Sequence, residues 1–220
     1  MRFPSRLNLA KQRHCTHQAS NSGWRHLTRV PHRVFPGLLI LLALAGCGSG
    51  VNRDHQLSGS INDESVFLGD SITYFWSWPE HNAGIPGQTT AQIEARFQTA
   101  VVGSFLPQVV ILTGANDVRV SSPDYSGILA NIQKMVAQGK AAGINVILCE
   151  LTPITCCDTQ VRTMNAMIKD YAATQNLTLV DYYTPMAGKD STYLKDGLHP
   201  TALGYTVMQA TLMKSLQPAS

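Results

Sequence analysis

Residues 108–113 have the sequence QVVILT, whose Val-Val-Ile-Leu centre is apolar without interruption and stops at Gly114. A strand with one exposed face alternates polar and apolar residues, whereas a strand covered on both faces is apolar throughout. Residues 65–68 (SVFL) and 145–151 (NVILCEL) have the same character. The three runs therefore predict strands of a parallel sheet that carries helices on both faces.

The segments between these runs show helical spacing. Ile93, Phe97 and Val101 recur every four residues and predict a helix over Thr89–Val102. Further elements follow in alternation: helices over Tyr125–Ala142, Thr159–Thr174 and Thr201–Leu216, and a strand over Leu177–Asp181. The alternation predicts a three-layer α/β/α sandwich, with ligands at the carboxyl ends of the strands.

Charge separates the N-terminal segment from the rest of the chain. Residues 1–46 contain seven Lys or Arg and no Asp or Glu, although all 220 residues together have a formal charge of only +3. The remaining residues hold ten basic and fourteen acidic side chains, a net charge of −4. This mildly acidic body argues against binding to nucleic acid, which requires a basic surface.

An uncharged apolar run, Val34–Gly46, lies at the end of the basic segment. Its 13 residues are too few for a membrane span, which needs about 20, and fit the apolar region of a signal peptide. The 33 residues before it are long for a signal peptide, and a start at Val30 would give an ordinary one.

The apolar run ends in Leu44-Ala45-Gly46-Cys47, which resembles the lipobox of bacterial lipoproteins. The resemblance implies that residues 1–46 are a signal peptide and that Cys47 is lipidated, with palmitate-type acyl chains anchoring the protein in the bacterial cell envelope. Gly48 favours the outer membrane. The alternative is a plain secretory signal that a cysteine follows by chance. We expect residues 47–63 to form a tether and residues 64–220 to form one domain.

Three further cysteines, Cys149, Cys156 and Cys157, remain in that domain. A disulfide from Cys149 to either neighbour is one possibility in an oxidising envelope, and free thiols are the other. A zinc site is disfavoured, because adjacent cysteines rarely bind one tetrahedral ion and no histidine is nearby. We therefore expect no metal.

Ser71 follows the first predicted strand in the sequence Gly69-Asp70-Ser71-Ile72. A serine at a strand-to-helix turn presents its hydroxyl at the edge of the sheet, where the N-terminus of the next helix favours negative charge. The structural alternative is that Ser71 caps that helix.

His199 precedes the last predicted helix in the sequence Asp196-Gly197-Leu198-His199-Pro200. Pro200 fits the first helical position and keeps His199 extended. Asp196, three residues earlier, can accept a hydrogen bond from His199 Nδ1 and leave Nε2 free to take a proton. The alternative is a capping aspartate beside a surface histidine.

Two further positions offer hydrogen-bond donors. Asn116, in Gly114-Ala115-Asn116-Asp117, follows the QVVILT strand and can direct its side-chain NH₂ at an oxyanion, or simply form a turn. Gly87, in Gly84-Ile85-Pro86-Gly87, can present its backbone N–H without a side chain in the way, or likewise form a turn.

Together, in the order Ser, Gly, Asn and Asp-x-x-His, these four motifs resemble the SGNH/GDSL hydrolase superfamily over about residues 64–215. The resemblance implies a flavodoxin-like sheet of about five strands and a serine ester hydrolase without metal or organic cofactor. It assigns Ser71 as nucleophile, His199 as base and Asp196 as its orienter. It places the backbone N–H groups of Ser71 and Gly87 and the Asn116 side chain in the oxyanion hole.

The substrate is expected to be a small ester, because a domain of this length with short connections leaves little material for a lid or an acyl tunnel. Phe75, Trp76 and Trp78 could line the pocket or pack in the core. The alternatives are a lysophospholipase or thioesterase of the same family, or a non-catalytic lipoprotein that binds envelope glycan.

Overall fold

The computed structural model describes residues 61–217, which lie within one unit of the chain, Gly48–Ser220. The expected signal peptide, Cys47 and almost all of the expected tether lie outside the described residues. Within the described range no helix is both long and apolar enough to span a bilayer.

A single parallel sheet forms the centre of this unit, as the apolar runs predict. The strands in the described part are β1 (Ser65–Gly69), β2 (His81–Gly84), β3 (Gln108–Leu112), β4 (Asn145–Cys149) and β5 (Thr178–Val180). Their order in the sheet is β2-β1-β3-β4-β5, the flavodoxin-like order. The predicted three-layer α/β/α class is confirmed. Strand β2 lies on one side of β1, whereas β3, β4 and β5 follow on the other side. In such parallel sheets a ligand binds at the carboxyl ends of the two strands where the order switches, here β1 and β3.

Helices cover the sheet and bury its central strands, where Phe67, Val110 and Ile147 are at most 2% exposed. In the described range the α-helices are α1 (Ser71–Tyr74), α2 (Thr90–Ala95), α3 (Phe97–Ala100), α4 (Tyr125–Ala141), α5 (Asp158–Thr174), α6 (Tyr183–Met186), α7 (Asp190–Tyr193) and α8 (Ala202–Ser215). The long helices α4 and α5 contact β4, and α8 contacts β5.

The predicted helix over Thr89–Val102 differs from the structure. Ile93, Phe97 and Val101 are fully buried as the spacing predicts, but the helix is broken between α2 and α3. Arg96 stands at the break with a φ of −105° and a ψ of 4°. A 3₁₀ turn, Val102–Ser104, ends the segment.

Proline is favoured at the first position of a helix, but Pro200 does not begin the last helix. Helix α8 starts two residues later, at Ala202, and the Thr201 side chain caps it by accepting the Gly204 N–H at 3.1 Å. Pro200 instead forms an isolated bridge with Leu194. His199 therefore lies outside the helix, in a bend that precedes it.

Candidate active site

Ser71 lies at the turn between β1 and α1, and its side chain is nearly buried. It is the first residue of α1 and not its cap. Asp70 is the cap, since its Oδ1 accepts the Ile72 N–H at 2.9 Å. The turn requires Gly69, because a Cβ there would lie 2.1 Å from Thr73 Oγ1 and 2.5 Å from Leu112 O. The local sequence therefore holds the Ser71 hydroxyl at the carboxyl edge of the sheet.

His199 and Asp196 are joined by a tight turn at Gly197, whose φ is +78°. Asp196 Oδ1 accepts the His199 N–H at 2.8 Å, and Oδ2 lies 2.7 Å from His199 Nδ1. The His199 N–H is the main reason why the pKa of Asp196 falls to about 2. An ionised carboxylate on Nδ1 favours the tautomer with the proton on that nitrogen.

The structure brings His199 to Ser71 across 128 residues of sequence. His199 Nε2 lies 2.9 Å from Ser71 Oγ, within hydrogen-bond reach. With the proton on Nδ1, Nε2 accepts the Ser71 hydroxyl hydrogen. Ser71, His199 and Asp196 therefore form a continuous chain of hydrogen bonds.

Two of the predicted oxyanion donors are free backbone groups. The N–H groups of Ser71 and Gly87 have no acceptor among the described residues. Gly87 has a φ of +78°, and a Cβ there would meet no atom within 4 Å. The glycine is therefore required by backbone conformation, and the space above it is open.

Asn116 follows β3 and faces the Gly87 loop. Its Nδ2 donates to Gln88 O at 2.9 Å, which leaves the second hydrogen of the NH₂ group available. The next residue, Asp117, accepts from the Thr90 N–H and hydroxyl at 3.0 and 2.8 Å. The Asn116-Asp117 pair thus ties the end of β3 to the start of α2.

Sequence reasoning did not identify Arg96, Gln88 or Asp117 as parts of this region. Helical spacing places Arg96 inside one continuous helix, and its hydrogen bonds to distant backbone oxygens leave no trace in the local sequence pattern. Of these three residues, only Asp117 has a signal in the sequence: it is a second polar residue directly after Asn116, just beyond a buried strand.

Asp70 is a buried carboxylic acid beside the serine. It is 1% exposed, and its Oδ2 has no hydrogen-bond partner among the described residues. Burial is the main cause that raises its pKa to about 6. This group carries a desolvation cost whenever it is ionised.

The aromatic residues after Ser71 divide between core and site. Trp76 is buried and stacks on Tyr205, and Trp78 packs partly buried against Phe67. Phe75 is 47% exposed and its ring lies edge-on to His199, with centroids 5.4 Å apart. Of the three, only Phe75 borders the candidate site.

A cavity of about 760 Å³ lies beside Asp196. Arg119, Asp190 and Lys195 are among the residues that line it. The Lys195 ammonium lies 4.8 Å from the centre of the Phe75 ring, which also contacts His199. A continuous series of contacts therefore runs from the cavity through Lys195 and Phe75 to His199.

The three cysteines within residues 61–217 are free thiols, with Cys149 and Cys157 buried and Cys156 exposed at the cavity. No disulfide from Cys149 is formed. Among residues 61–217, no three His, Cys, Asp or Glu side chains are grouped so that they could hold a metal ion.

Comparisons with known proteins agree with this fold. The sequence profile of the GDSL-like lipase/acylhydrolase family matches residues 67–207. A GDSL-like lipase from Bacteroides thetaiotaomicron VPI-5482 is 29% identical, with a TM-score of 0.65 over 74% of this chain and 95% of that one.

Two more distant structures share the fold. A lipase/acylhydrolase from Enterococcus faecalis is 23% identical, with a TM-score of 0.61 over 71% of this chain and 98% of that one. An acetylxylan esterase from Geobacillus stearothermophilus is 18% identical, with a TM-score of 0.61 over 70% and 94%. None of the curated proteins matches the sequence.

Proposed function

Because the chain belongs to the GDSL-like lipase/acylhydrolase family, we propose that it is a serine ester hydrolase with Ser71 as the nucleophile. His199 is the general base and Asp196 orients it. The observation that carries the proposal is the 2.9 Å contact between Ser71 Oγ and His199 Nε2, with Asp196 on the opposite nitrogen. A serine hydroxyl is a weak nucleophile until such a base removes its proton.

The reaction follows from this arrangement. Ser71 Oγ bonds to the ester carbonyl carbon while its proton passes to His199 Nε2, and the carbonyl π electrons move to oxygen. Collapse of the tetrahedral intermediate breaks the bond to the alcohol oxygen, which takes the proton from Nε2. Water then repeats the sequence on the acyl-enzyme, and releases the carboxylic acid and Ser71.

The negative oxygen of the intermediate is stabilised by the N–H groups of Ser71 and Gly87 and by the Asn116 side chain. Both backbone donors lack an acceptor within the described range, and Asn116 retains one free hydrogen. In known serine hydrolases the loss of one such donor lowers the rate by about 10²–10³-fold.

The alcohol part of the substrate lies on the His199 side, since His199 Nε2 must protonate its oxygen. Asp196, which contacts His199 Nδ1, lines the 760 Å³ cavity, and we infer that this cavity takes the alcohol part. Within residues 61–217 the Arg119 side chain makes no hydrogen bond or ion pair, and Asp190 accepts a hydrogen bond from the Thr155 hydroxyl. The cavity therefore offers free donors and a carboxylate acceptor that has lone pairs to spare.

Such a lining fits a hydroxyl-rich alcohol better than an alkyl chain, because each hydroxyl can both donate and accept. We infer that the substrate is a small acyl ester of a carbohydrate, with acetyl as the simplest acyl group. The likeness of fold to the acetylxylan esterase from Geobacillus stearothermophilus supports this class without identifying the sugar.

The first test is Ser71→Ala beside Ser122→Ala, an exposed serine outside the site. We expect Ser71→Ala to remove p-nitrophenyl acetate hydrolysis and Ser122→Ala to leave it unchanged, with equal thermal stability. If Ser71→Ala keeps a tenth of the wild-type rate, the serine mechanism is wrong.

The second test compares substrates on the wild-type enzyme. We expect acetylated xylo-oligosaccharide to have a higher kcat/KM than p-nitrophenyl decanoate or lysophosphatidylcholine. The opposite order would indicate a lysophospholipase-like enzyme, and binding of the oligosaccharide without hydrolysis of any ester would indicate a glycan-binding protein.

A further inference from the structure

Arg96 joins three backbone segments next to Ser71. Its Nε donates to Gln88 Oε1 at 2.6 Å, and its Nη2 donates to Gly69 O at 3.0 Å and to Ala83 O at 2.8 Å. The side chain is half-buried, so these bonds are partly shielded from water. The same guanidinium therefore contacts the end of β1, the end of β2 and the loop that follows Gly87.

Gln88 connects Arg96 to both loop-derived oxyanion donors. It directly follows Gly87, and its carbonyl accepts the Asn116 Nδ2 hydrogen bond at 2.9 Å. Its side chain is the part that Arg96 holds. A shift of Gln88 would thus move the Gly87 N–H and release the Asn116 amide together.

The start of the loop is fixed to the same strand end. The Ile85 N–H donates to Gly69 O at 3.1 Å, the oxygen that Arg96 Nη2 also contacts. Gly69 O is only two residues before Ser71. Arg96 therefore holds the loop that contains Gly87 at a fixed position beside the strand end that precedes Ser71.

We propose that Arg96 is a positioning residue that holds Gln88, and through it Gly87 and Asn116, in register with Ser71 for binding of the oxyanion. The proposal rests on the proposed esterase function. Oxyanion donors act mainly in the transition state, so their displacement lowers kcat more than it changes KM. A purely structural role would lower stability but leave kcat per folded active site unchanged.

The experiment compares Arg96→Ala, Arg96→Lys and Gln88→Ala with Arg162→Ala as a matched control. Arg162 is an exposed arginine on α5 that forms a 4.0 Å ion pair with Asp158. Active sites are counted by titration with a fluorophosphonate. The readouts are kcat and KM for p-nitrophenyl acetate and the Ki of phenylboronic acid, which forms a tetrahedral adduct with a nucleophilic serine.

For Arg96→Ala we expect kcat to fall about 10- to 100-fold with KM changed by less than about threefold, and phenylboronic acid to bind correspondingly more weakly. Gln88→Ala should show most of this loss, and the double variant should show little more. Arg96→Lys should be intermediate, because Lys keeps a cation near the carbonyls but loses the Nε bond. Arg162→Ala should match the wild type.

The proposal is overturned if kcat per active site and boronic acid affinity stay within about twofold of wild type in Arg96→Ala and Gln88→Ala. If Arg96→Ala does not fold, Gln88→Ala and Arg96→Lys decide the matter by the same readouts. Failure of the esterase function is a different result, since the wild-type enzyme itself would then hydrolyse no ester.

Discussion

At the scale of single residues, the contact of Asp196 with His199 determines which imidazole nitrogen carries the proton. Asp196→Asn keeps the shape but favours the wrong tautomer, so we expect a fall in kcat that approaches the 10⁴-fold loss known for such a change in another triad. His199→Ala removes the proton acceptor altogether. The double variant should be little worse than His199→Ala, because the two residues act as one unit.

The measurement is kcat for p-nitrophenyl acetate in both single variants and the double variant. The low pKa of Asp196, about 2, means that this carboxylate stays ionised throughout the assay range above pH 5. If Asp196→Asn costs the same factor with and without His199, Asp196 does not act through the histidine.

Asp70 gives a prediction about stability and pH. Its pKa is about 6 in the folded protein against an ordinary value of 3.8, so the folded state holds the proton more tightly than the unfolded state. Stability should therefore fall as pH rises from about 4 to about 6. Asp70→Asn keeps an acceptor for the Ile72 N–H without the charge. We expect it to be more stable than wild type at pH 8, by up to about 3 kcal/mol, and this advantage to shrink towards pH 4.

Urea unfolding at pH 4.5 and pH 8 measures this difference. Asp124→Asn is the control, because Asp124 is exposed and the Gly127 N–H lowers its pKa. That variant should gain no stability at pH 8. An Asp70→Asn protein no more stable than wild type at pH 8 would show that the ionised Asp70 carries no net cost.

Single residues also show what sequence reasoning can and cannot find. Ser71, Asn116 and His199 stand beside strand ends or a helix start, so local pattern identifies them as candidates. Local pattern does not identify Arg96 or Gln88, because their importance comes from hydrogen bonds to carbonyls and amides that are distant in sequence. Only the family resemblance predicts that Ser71 and His199, which are 128 residues apart, belong to the same site.

At the scale of secondary structure, long apolar runs and helical spacing predict four of the five described strands and the three long helices α4, α5 and α8 to within two residues. The missed strand is β2, whose sequence His-Asn-Ala-Gly is short, polar and mostly exposed at the sheet edge. It is held partly by the Asn82 side chain, which donates to Thr73 O at 2.7 Å and Trp76 O at 2.9 Å. Such side-chain contacts have no periodic signature.

Strand β2 packs so closely on α1 that Gly84 should tolerate no side chain. A Cβ there would lie 2.2 Å from Tyr74 N and 2.8 Å from Asp70 O, both backbone atoms. Gly84→Ala should cost about 1–3 kcal/mol of stability and displace the turn that carries Ser71. We therefore expect lower kcat per titrated active site as well as a lower Tm.

Gly103→Ala is the control for this prediction, because a Cβ there meets only Gln98 O, at 3.5 Å. It should stay close to wild type in kcat and Tm. A Gly84→Ala enzyme with unchanged kcat would show that α1 does not depend on the close approach of β2.

At the scale of the whole molecule, the strand order places the two halves of the site together. Residues alone predict four strands, and the resemblance implies about five, the fifth being β2. Because β1 and β3 are neighbours at the switch in strand order, the residues that follow them meet at one edge. Ser71, after β1, and Asn116, after β3, are therefore close because of the strand order, which local sequence pattern does not encode.

The last prediction concerns how the whole protein is attached to its compartment. We propose that the mature protein begins at Cys47, carries acyl chains there and is anchored by them in the bacterial cell envelope, on the basis of Leu44-Ala45-Gly46-Cys47 behind an apolar run. Two or more acyl chains give stable membrane anchoring, whereas a single chain gives only marginal binding.

The full-length protein expressed in a bacterium should therefore be found in the membrane fraction, with an acylated N-terminal peptide that mass spectrometry assigns to Cys47. Cys47→Ser should leave it unprocessed or soluble, and Cys156→Ser, an exposed cysteine at the cavity, should keep it anchored. Because the candidate site lies wholly within residues 61–217, any soluble Cys47→Ser enzyme should hydrolyse p-nitrophenyl acetate at the wild-type kcat. A soluble mature wild-type chain with an unmodified Cys47 would contradict the anchor and leave the esterase proposal untouched.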